Sequence, residues 1–276
     1  MSSIPTSRVV ALFGHTSLEQ HFLEGVRRFW AENPGAEGTI YRTIEELEGD
    51  TAPVGGIVSY IPSEQKLEAL RSHGCPLVNT SNRFLAGKLP SVVVDDEEVG
   101  RLAGEHLLER GYRSIHFVAH PNADFSRQRE SGLRSACEAA DVPLEVHDFP
   151  GLATHMEPTE FIESLFGLGE AFLRGEVSRR AIVFYADSAA YSFLAAATPR
   201  FGVRLMQLAF MGVDAMEPPD SAMFRLSSVR PDFFAVGFEA ASLIRRLQQG
   251  ATPPGEAIRI RNAHLVAGET TPPVEG

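Results

Sequence analysis

One pattern limits the fold of this chain more than any other: short continuous apolar runs alternate with segments whose apolar residues fall at helical spacing. Val9–Phe13 is such a run and reads as a strand covered on both faces. Behind it Leu18, Phe22, Val26 and Phe29 share one helix face until Asn33-Pro34-Gly35 stops the pattern. Strand Ile57–Tyr60, helix Glu64–Ser72 and strands Leu77–Asn79 and Val92–Val94 follow. A second series comprises strand Ser114–Val118, a helix from about Arg127 to Ala140, strand Leu144–His147 and helix Thr159–Leu173. It continues with strand Ala181–Phe184, helix Ala189–Ala197 and strand Leu208–Met211. A last helix carries Phe233, Val236, Ala240, Leu243 and Leu247, with Gly250 as its stop. Such alternation predicts parallel sheets with right-handed crossovers, and two series predict two α/β lobes facing each other across a cleft.

Length and charge narrow the class. A chain of 276 residues buries a substantial core, as one large domain or as two lobes. No apolar run reaches membrane-spanning length, and MSSIPTSRVVALF is too short an apolar stretch for an export signal, so the expected compartment is the cytoplasm. The 36 acidic residues exceed the 25 basic ones, and a net charge of −11 argues against this chain gripping a phosphate backbone itself. Cys75 and Cys137 make neither a disulfide framework nor a metal-ligand spacing, and they read as small buried thiols.

Catalytic signatures are missing. There is no G-x-S-x-G elbow, P-loop, H-E-x-x-H or dinucleotide fingerprint, so neither a catalytic residue nor a cofactor is expected. His116 and His120 are four apart on a strand running into a loop, with no carboxylates sharing their spacing, so no metal is expected. The acidic turn Asp95-Asp96-Glu97-Glu98 precedes a helix, where negative charge suits the positive end of the helix dipole.

In doubly wound sheets ligands sit beyond the carboxyl ends of the strands. That rule selects the polar loops at Gly14–Ser17 (with Thr16), Ser59-Tyr60, Asn79–Asn82, Asp124–Arg129, Asp187 and Asp214. Arg129, at the opening of an amphipathic helix, offers five fixed donors that can span two neighbouring hydroxyls; its competing role is a surface ion pair with Glu130 or a neighbouring helix. Asp187 either caps the helix that follows it or faces a ligand. Asp214, behind Gly212, either holds a turn or accepts ligand hydroxyls. Phe13 and Tyr60 are rings that suit an amphipathic ligand, and Phe13 is equally a core candidate.

The stretch VVVDDEEVGRLAGEHLLERGYRSIHFV, followed by SRQRESGLRSACEAA, resembles the effector-sensing domain of the lactose-repressor/galactose-repressor family. In that family the arginine of an S-x-x-R-x-x-G arrangement grips sugar hydroxyls, and Arg129 stands at its position. LAFMGVD, ending at Asp214, is similar to the family's V-x-G-[FYI]-D, and Asp187 stands where the family carries N/D-x-x-A. RIRNAHLVAGETT looks like the family's domain-ending segment, without its usual arginine at Ala267–Glu269. The resemblance implies a two-lobed, periplasmic-binding-protein-like α/β fold, each lobe a parallel sheet flanked by helices. It implies an N-terminal lobe of 8–94 plus 229–252 and a C-terminal lobe of 95–227 plus 255–271. The crossings would lie near Asp95, Ser227–Val229 and Ala251–Gly255. A small sugar or polyol would bind in the cleft through Arg129, Asp214, Asp187, Asn79, Ser59, Tyr60, Thr16 and Phe13, without metal, cofactor or catalysis.

The opening RVVALFGHTSLEQHFLEGVRRF is similar to that of xylose-operon regulators, which place the sensor first and an AraC-type DNA-binding domain last. The resemblance therefore implies the sensor of an AraC-family transcription factor, a homodimer that meets DNA only through a C-terminal domain beyond Gly276. The alternatives are a lactose-repressor-type sensor whose N-terminal helix-turn-helix was removed, and a free-standing sugar-binding protein.

Overall fold

The structure is a computed structural model that describes residues 8–36, 38–83, 89–151 and 156–274. Most of the stretch read for an export signal, and Gly276, lie outside the described residues. The chain forms two compact units, 1–95 with 232–261 and 96–231 with 262–276.

In the first unit, β1 (Arg8–Leu12), α1 (Ser17–Glu32), β2 (Gly38–Tyr41), α2 (Ile44–Glu48), β3 (Val54–Ser59), α3 (Glu64–Arg71) and β4 (Leu77–Asn79) alternate as a wound sheet requires. The parallel order is β2-β1-β3-β4. The single bridge Asn79–Ser91 leads from β4 toward β5 (Val92–Val94). Val10, Leu12, Ile57, Leu67 and Leu70 are buried together on one side. On the other side α1 meets α8 (Phe233–Gln248), with Phe22 edge-on to Phe233 at 5.3 Å and Phe29 to Phe238 at 5.4 Å. Neither β2 nor α2 is announced by the sequence. Each is only four or five residues long, too short for periodicity to register.

The second unit contains α4 (Asp96–Glu109), β6 (Ser114–Ala119), α5 (Asp124–Ala139), β7 (Leu144–Asp148), α6 (Pro158–Phe172), β8 (Arg180–Phe184), α7 (Asp187–Phe201), β9 (Ala209–Val213) and β10 (Ser227–Arg230). Its sheet runs β12-β10-β9-β8-β6-β7, parallel except for the antiparallel edge strand β12 (His264–Val266). Phe172, Phe184, Phe193 and Phe210 anchor its core. Near the β7 edge His116 and His147 adjoin, and burial pushes His116 down to about 4 and lowers His147 as well.

Three boundaries differ from the sequence reading. Ser227–Val229 is not a crossing but lies within β10, paired with β9, and the unit boundary falls after Pro231. The last boundary lies after Arg261, because β11 (Ile258–Ile260) pairs with β5 in the first unit. Helix α5 begins at Asp124 rather than near Arg127; its N-cap Ala123 has no capping side chain, so the usual start signal is missing. Among the described residues no helix is long and apolar enough to cross a membrane.

Candidate ligand-binding site

The S-x-x-R-x-x-G run gives its three residues three separate tasks. Ser126 Oγ accepts the backbone N–H of His120 at 2.8 Å and so ties the β6–α5 loop to the helix. Gly132 and Gly100 let α5 and α4 touch backbone to backbone. A Cβ on Gly132 would lie 1.9 Å from the Glu97 carbonyl oxygen, and one on Gly100 would lie 1.9 Å from that of Arg129. This close approach brings Arg129 to the start of α4, where its Nε donates to Asp96 Oδ1 at 2.8 Å with both side chains buried. Its Nη1 donates to the carbonyl of Tyr185, at the end of β8, and the Phe125 ring lies 4.9 Å from the guanidinium carbon. Of the two competing ion pairs, the one with Glu130 is not made, since Glu130 bonds Arg134, whereas the one with a neighbouring helix is made, buried, through Asp96. Arg129 sits in the second turn of a helix, not in a loop.

Asp187 and Asp214 come from the carboxyl ends of β8 and β9 and meet Arg129 there. Asp187 opens α7, but the N-cap is Ala186, so the capping role is not realised. Its carboxylate accepts the Met216 N–H at 2.8 Å and the Ser228 hydroxyl at 2.9 Å. Gly212 makes room for it, since a Cβ there would stand 1.9 Å from Asp187 Oδ1. Asp214 and Ala215 both hold left-handed backbone, with φ of 98° and 46°. That turn is fastened by the Asp214 N–H to the Val229 carbonyl at 2.9 Å and the Ala215 N–H to Ser228 Oγ at 3.0 Å. The Asp214 carboxylate makes no hydrogen bond among the described residues. It faces Arg129 Nη2 at 3.7 Å with its side chain 22% exposed.

Arg129 stands among three carboxyl groups, and a second guanidinium, Arg230, donates to the Ala215 carbonyl of the Asp214 turn at 3.3 Å. Burial opposes the charge on Arg129, yet Asp96, Asp214 and Asp187 hold its pKa above the ordinary value. Burial, then repulsion from Asp214, raises Asp187 to about 7 against the pull of Met216 N–H, Ser228 and Arg129. Asp214 is raised by burial, with Arg129 working the other way. Such a cluster disfavours an anionic guest and suits neutral hydroxyls, which donate to carboxylates and accept from a guanidinium.

The remaining expected residues all lie in the first unit, at the carboxyl ends of β1, β3 and β4, and have structural work there. Phe13 is fully buried, 5.9 Å from Phe22. Tyr60, half-buried, stacks on Phe22 at 6.1 Å. Thr16 caps α1, accepting the Glu19 N–H and donating to Glu19 Oε2 at 2.7 Å. Ser59 donates to the Leu12 carbonyl at 2.7 Å. Asn79 accepts from Ile61 N and Ser81 N and donates to the Ser81 carbonyl and Ser91 Oγ, filling its hydrogen-bonding capacity.

Asp96 and Ser228 join the site without having been read as site residues. Asp96 looked like a helix-dipole charge, and Ser228 part of a crossing. A cavity of about 630 Å³ in the second unit lies elsewhere, at the amino ends of the strands, lined by Tyr112, Arg179, Leu208 and Met223 among others. Its lining is mainly apolar, whereas the chemistry able to orient a hydroxylated ligand gathers at the carboxyl ends.

Comparison with known proteins bears on this arrangement. The family model of the periplasmic binding protein-like domain matches residues 104–271. A periplasmic binding protein/LacI transcriptional regulator from Alkaliphilus metalliredigens QYMF, solved with D-xylulofuranose, is similar in structure with a TM-score of 0.71 at 17% identity, over 96% of this chain and 99% of that one. The xylose-binding transcription activator xylR gives a TM-score of 0.78 at 18% identity, over 96% of this chain and 69% of that one. A LacI family regulator from Enterococcus faecium with bound ribose gives 0.69 at 18%, over 98% and 100%. Comparison with curated proteins gave no match. The AraC-family affiliation is corrected by these structures: where they name a family it is LacI, and those chains are covered almost end to end. The fold is a two-lobed α/β fold, periplasmic-binding-protein-like, with parallel sheets flanked by helices. Since the family model spans more than half of the sequence, from α4 to the closing segment, the chain belongs to the periplasmic binding protein-like domain family.

Proposed function

We propose that this chain is the effector-binding domain of a sugar-sensing transcription regulator of the lactose-repressor/galactose-repressor type, taking a neutral sugar or polyol at Arg129 and Asp214. One observation carries the reading: beside a buried, pinned guanidinium stands a partly exposed carboxylate with no hydrogen-bond partner among the described residues. Together they present donor and acceptor about one hydroxyl pair apart. The similar regulators solved with D-xylulofuranose, ribose and cellobiose support a sugar as the class of ligand. Asp214, the partly exposed carboxylate of the pair, speaks against phosphorylated sugars, which want a cationic or helix-N-terminal nest. An effector of this kind acts by preferring one conformation, and that preference is what a DNA-binding partner would read.

A panel of free pentoses, hexoses, disaccharides and their phosphates, screened by thermal shift, tests this directly. A native-state ligand raises Tm by mass action. At least one neutral sugar is expected to do so, and Asp214→Ala is expected to abolish most of the shift while leaving the unliganded Tm close to wild type. A panel in which phosphosugars stabilise more than their neutral parents defeats the reading.

A further inference from the structure

The outer edge of the second unit's sheet holds a cluster of three side chains, none of which belongs to the Arg129 site. Strand β7 is the edge strand and pairs only with β6, with His116 opposite Glu145. Glu145 and His147 are two apart on β7 and so share one face, the one on which His116 also lies. His116 Nδ1 is 2.9 Å from His147 Nε2, and Glu145 Oε2 is 3.7 Å from the first and 3.9 Å from the second. The point equidistant from these three atoms is about 2.1 Å from each, the length of a Zn–N or Zn–O bond. Among the described residues this is the one group of three such ligand atoms gathered within 4.8 Å.

The surroundings fit a metal as well as the triangle does. His116 is 2% exposed and turns Nδ1 toward the triangle, while its Nε2 is buried without a hydrogen-bond partner and takes no part in it. Both imidazoles stand edge-on to Phe172, which gives the cluster an apolar floor. The Glu145 side chain is 66% exposed and the His147 side chain 20%, so the mouth is open to solvent and provides an entry path. We propose that His116, His147 and Glu145 bind a divalent transition-metal ion of the zinc class, with a fourth position left to water. Two imidazoles and one carboxylate select zinc, nickel or copper over calcium and magnesium, which prefer oxygen shells.

Without an ion the two rings, only 10° from parallel, share one hydrogen between their facing nitrogens. Loading requires the ring that carries it to move that proton to its other nitrogen. Both rings then turn toward the point they share with the carboxylate, and no proton is lost overall. The ion would fasten the edge strand β7 to β6 and stabilise the folded state. The register creates this site: along the sequence His116 invites comparison with His120, whereas its partners arrive from the next strand.

The protein, without a polyhistidine tag and stripped by chelator, is titrated with Zn²⁺ by calorimetry in excess Mg²⁺, which occupies exposed carboxylates. One equivalent is expected to bind and raise Tm, and Co²⁺ in its place is expected to show the absorption bands of a four-coordinate ion. His147→Ala should remove the equivalent and the Tm shift. Glu145→Gln should weaken binding by at least about tenfold. His21→Ala, at the exposed pair of His21 and Glu24, should leave both unchanged. If His147→Ala fails to fold, the exposed Glu145→Gln variant decides. Wild type without stoichiometric binding, or variants binding as tightly as wild type, overturns the proposal and leaves a plain His–His hydrogen bond.

Discussion

Arg129 and Asp96 form a buried ion pair between two helices, Nε to Oδ1 at 2.8 Å, thirty-three residues apart in sequence. Neither partner can be removed cheaply, because the one left behind is a charge without water. Arg129→Ala is expected to cost about 3 kcal/mol in denaturant unfolding. It should also weaken sugar binding roughly thirty-fold, the loss of one charge-assisted hydrogen bond. Calorimetry beside chemical denaturation separates the two effects; unchanged stability would mean that the pair is not buried.

Asp187 sets a pH dependence. Folded, it keeps its proton up to about pH 7, whereas the unfolded chain gives it up near the ordinary value of about 3.9. Between those values the folded state binds more protons, so this residue's contribution to stability falls as pH rises, by up to about 1.4 kcal/mol per unit. Above about pH 7 the loss is complete and the contribution is constant. Asp187→Asn removes the titration. Its stability relative to wild type should climb across that window and then level off; a pH-independent difference would count against the assignment.

Gly212→Ala should act through Asp187 rather than through the strand. The new methyl would meet Asp187 Oδ1 and push the carboxylate off Ser228 and Met216. A loss of about 1–3 kcal/mol is expected from overpacking. Sugar affinity should fall with it, because the Asp214 turn is fastened by the same Ser228 hydroxyl.

Asn79→Ala should separate structure from recognition. Four hydrogen bonds are lost, and two backbone N–H groups and a carbonyl lose their partner. Unfolding should become easier by about 1–3 kcal/mol. Affinity for an identified sugar should hardly move; a loss comparable to that of Asp214→Ala would return Asn79 to the ligand shell.

Strands buried on both faces, such as β1, β6 and β8, were legible because their apolar runs are continuous. The short strands β2, β11 and β12 were not: at three or four residues, with few buried positions, they carry no period. Within the site, Arg129, Asp187 and Asp214 were legible because each sits beside a local signature. Asp96 was read only as a helix-start charge, since its partner is chosen by how closely two glycines let α4 and α5 pack. Ser228 and the pair Glu145 and His147 depend on which strands become neighbours, information that a linear pattern does not hold.

A free arginine carries about 2 kcal/mol of rotamer entropy, which a flexible binding site surrenders each time a guest arrives. With Nε on Asp96, Nη1 on the Tyr185 carbonyl and Phe125 against its plane, Arg129 surrendered that freedom when the chain folded. A guanidinium so fixed cannot follow a misplaced hydroxyl. Under the proposed sugar-sensing role, epimers that differ at one carbon would meet the same rigid fork and accept its geometry or forgo the bond, so discrimination between them would become a matter of stereochemistry.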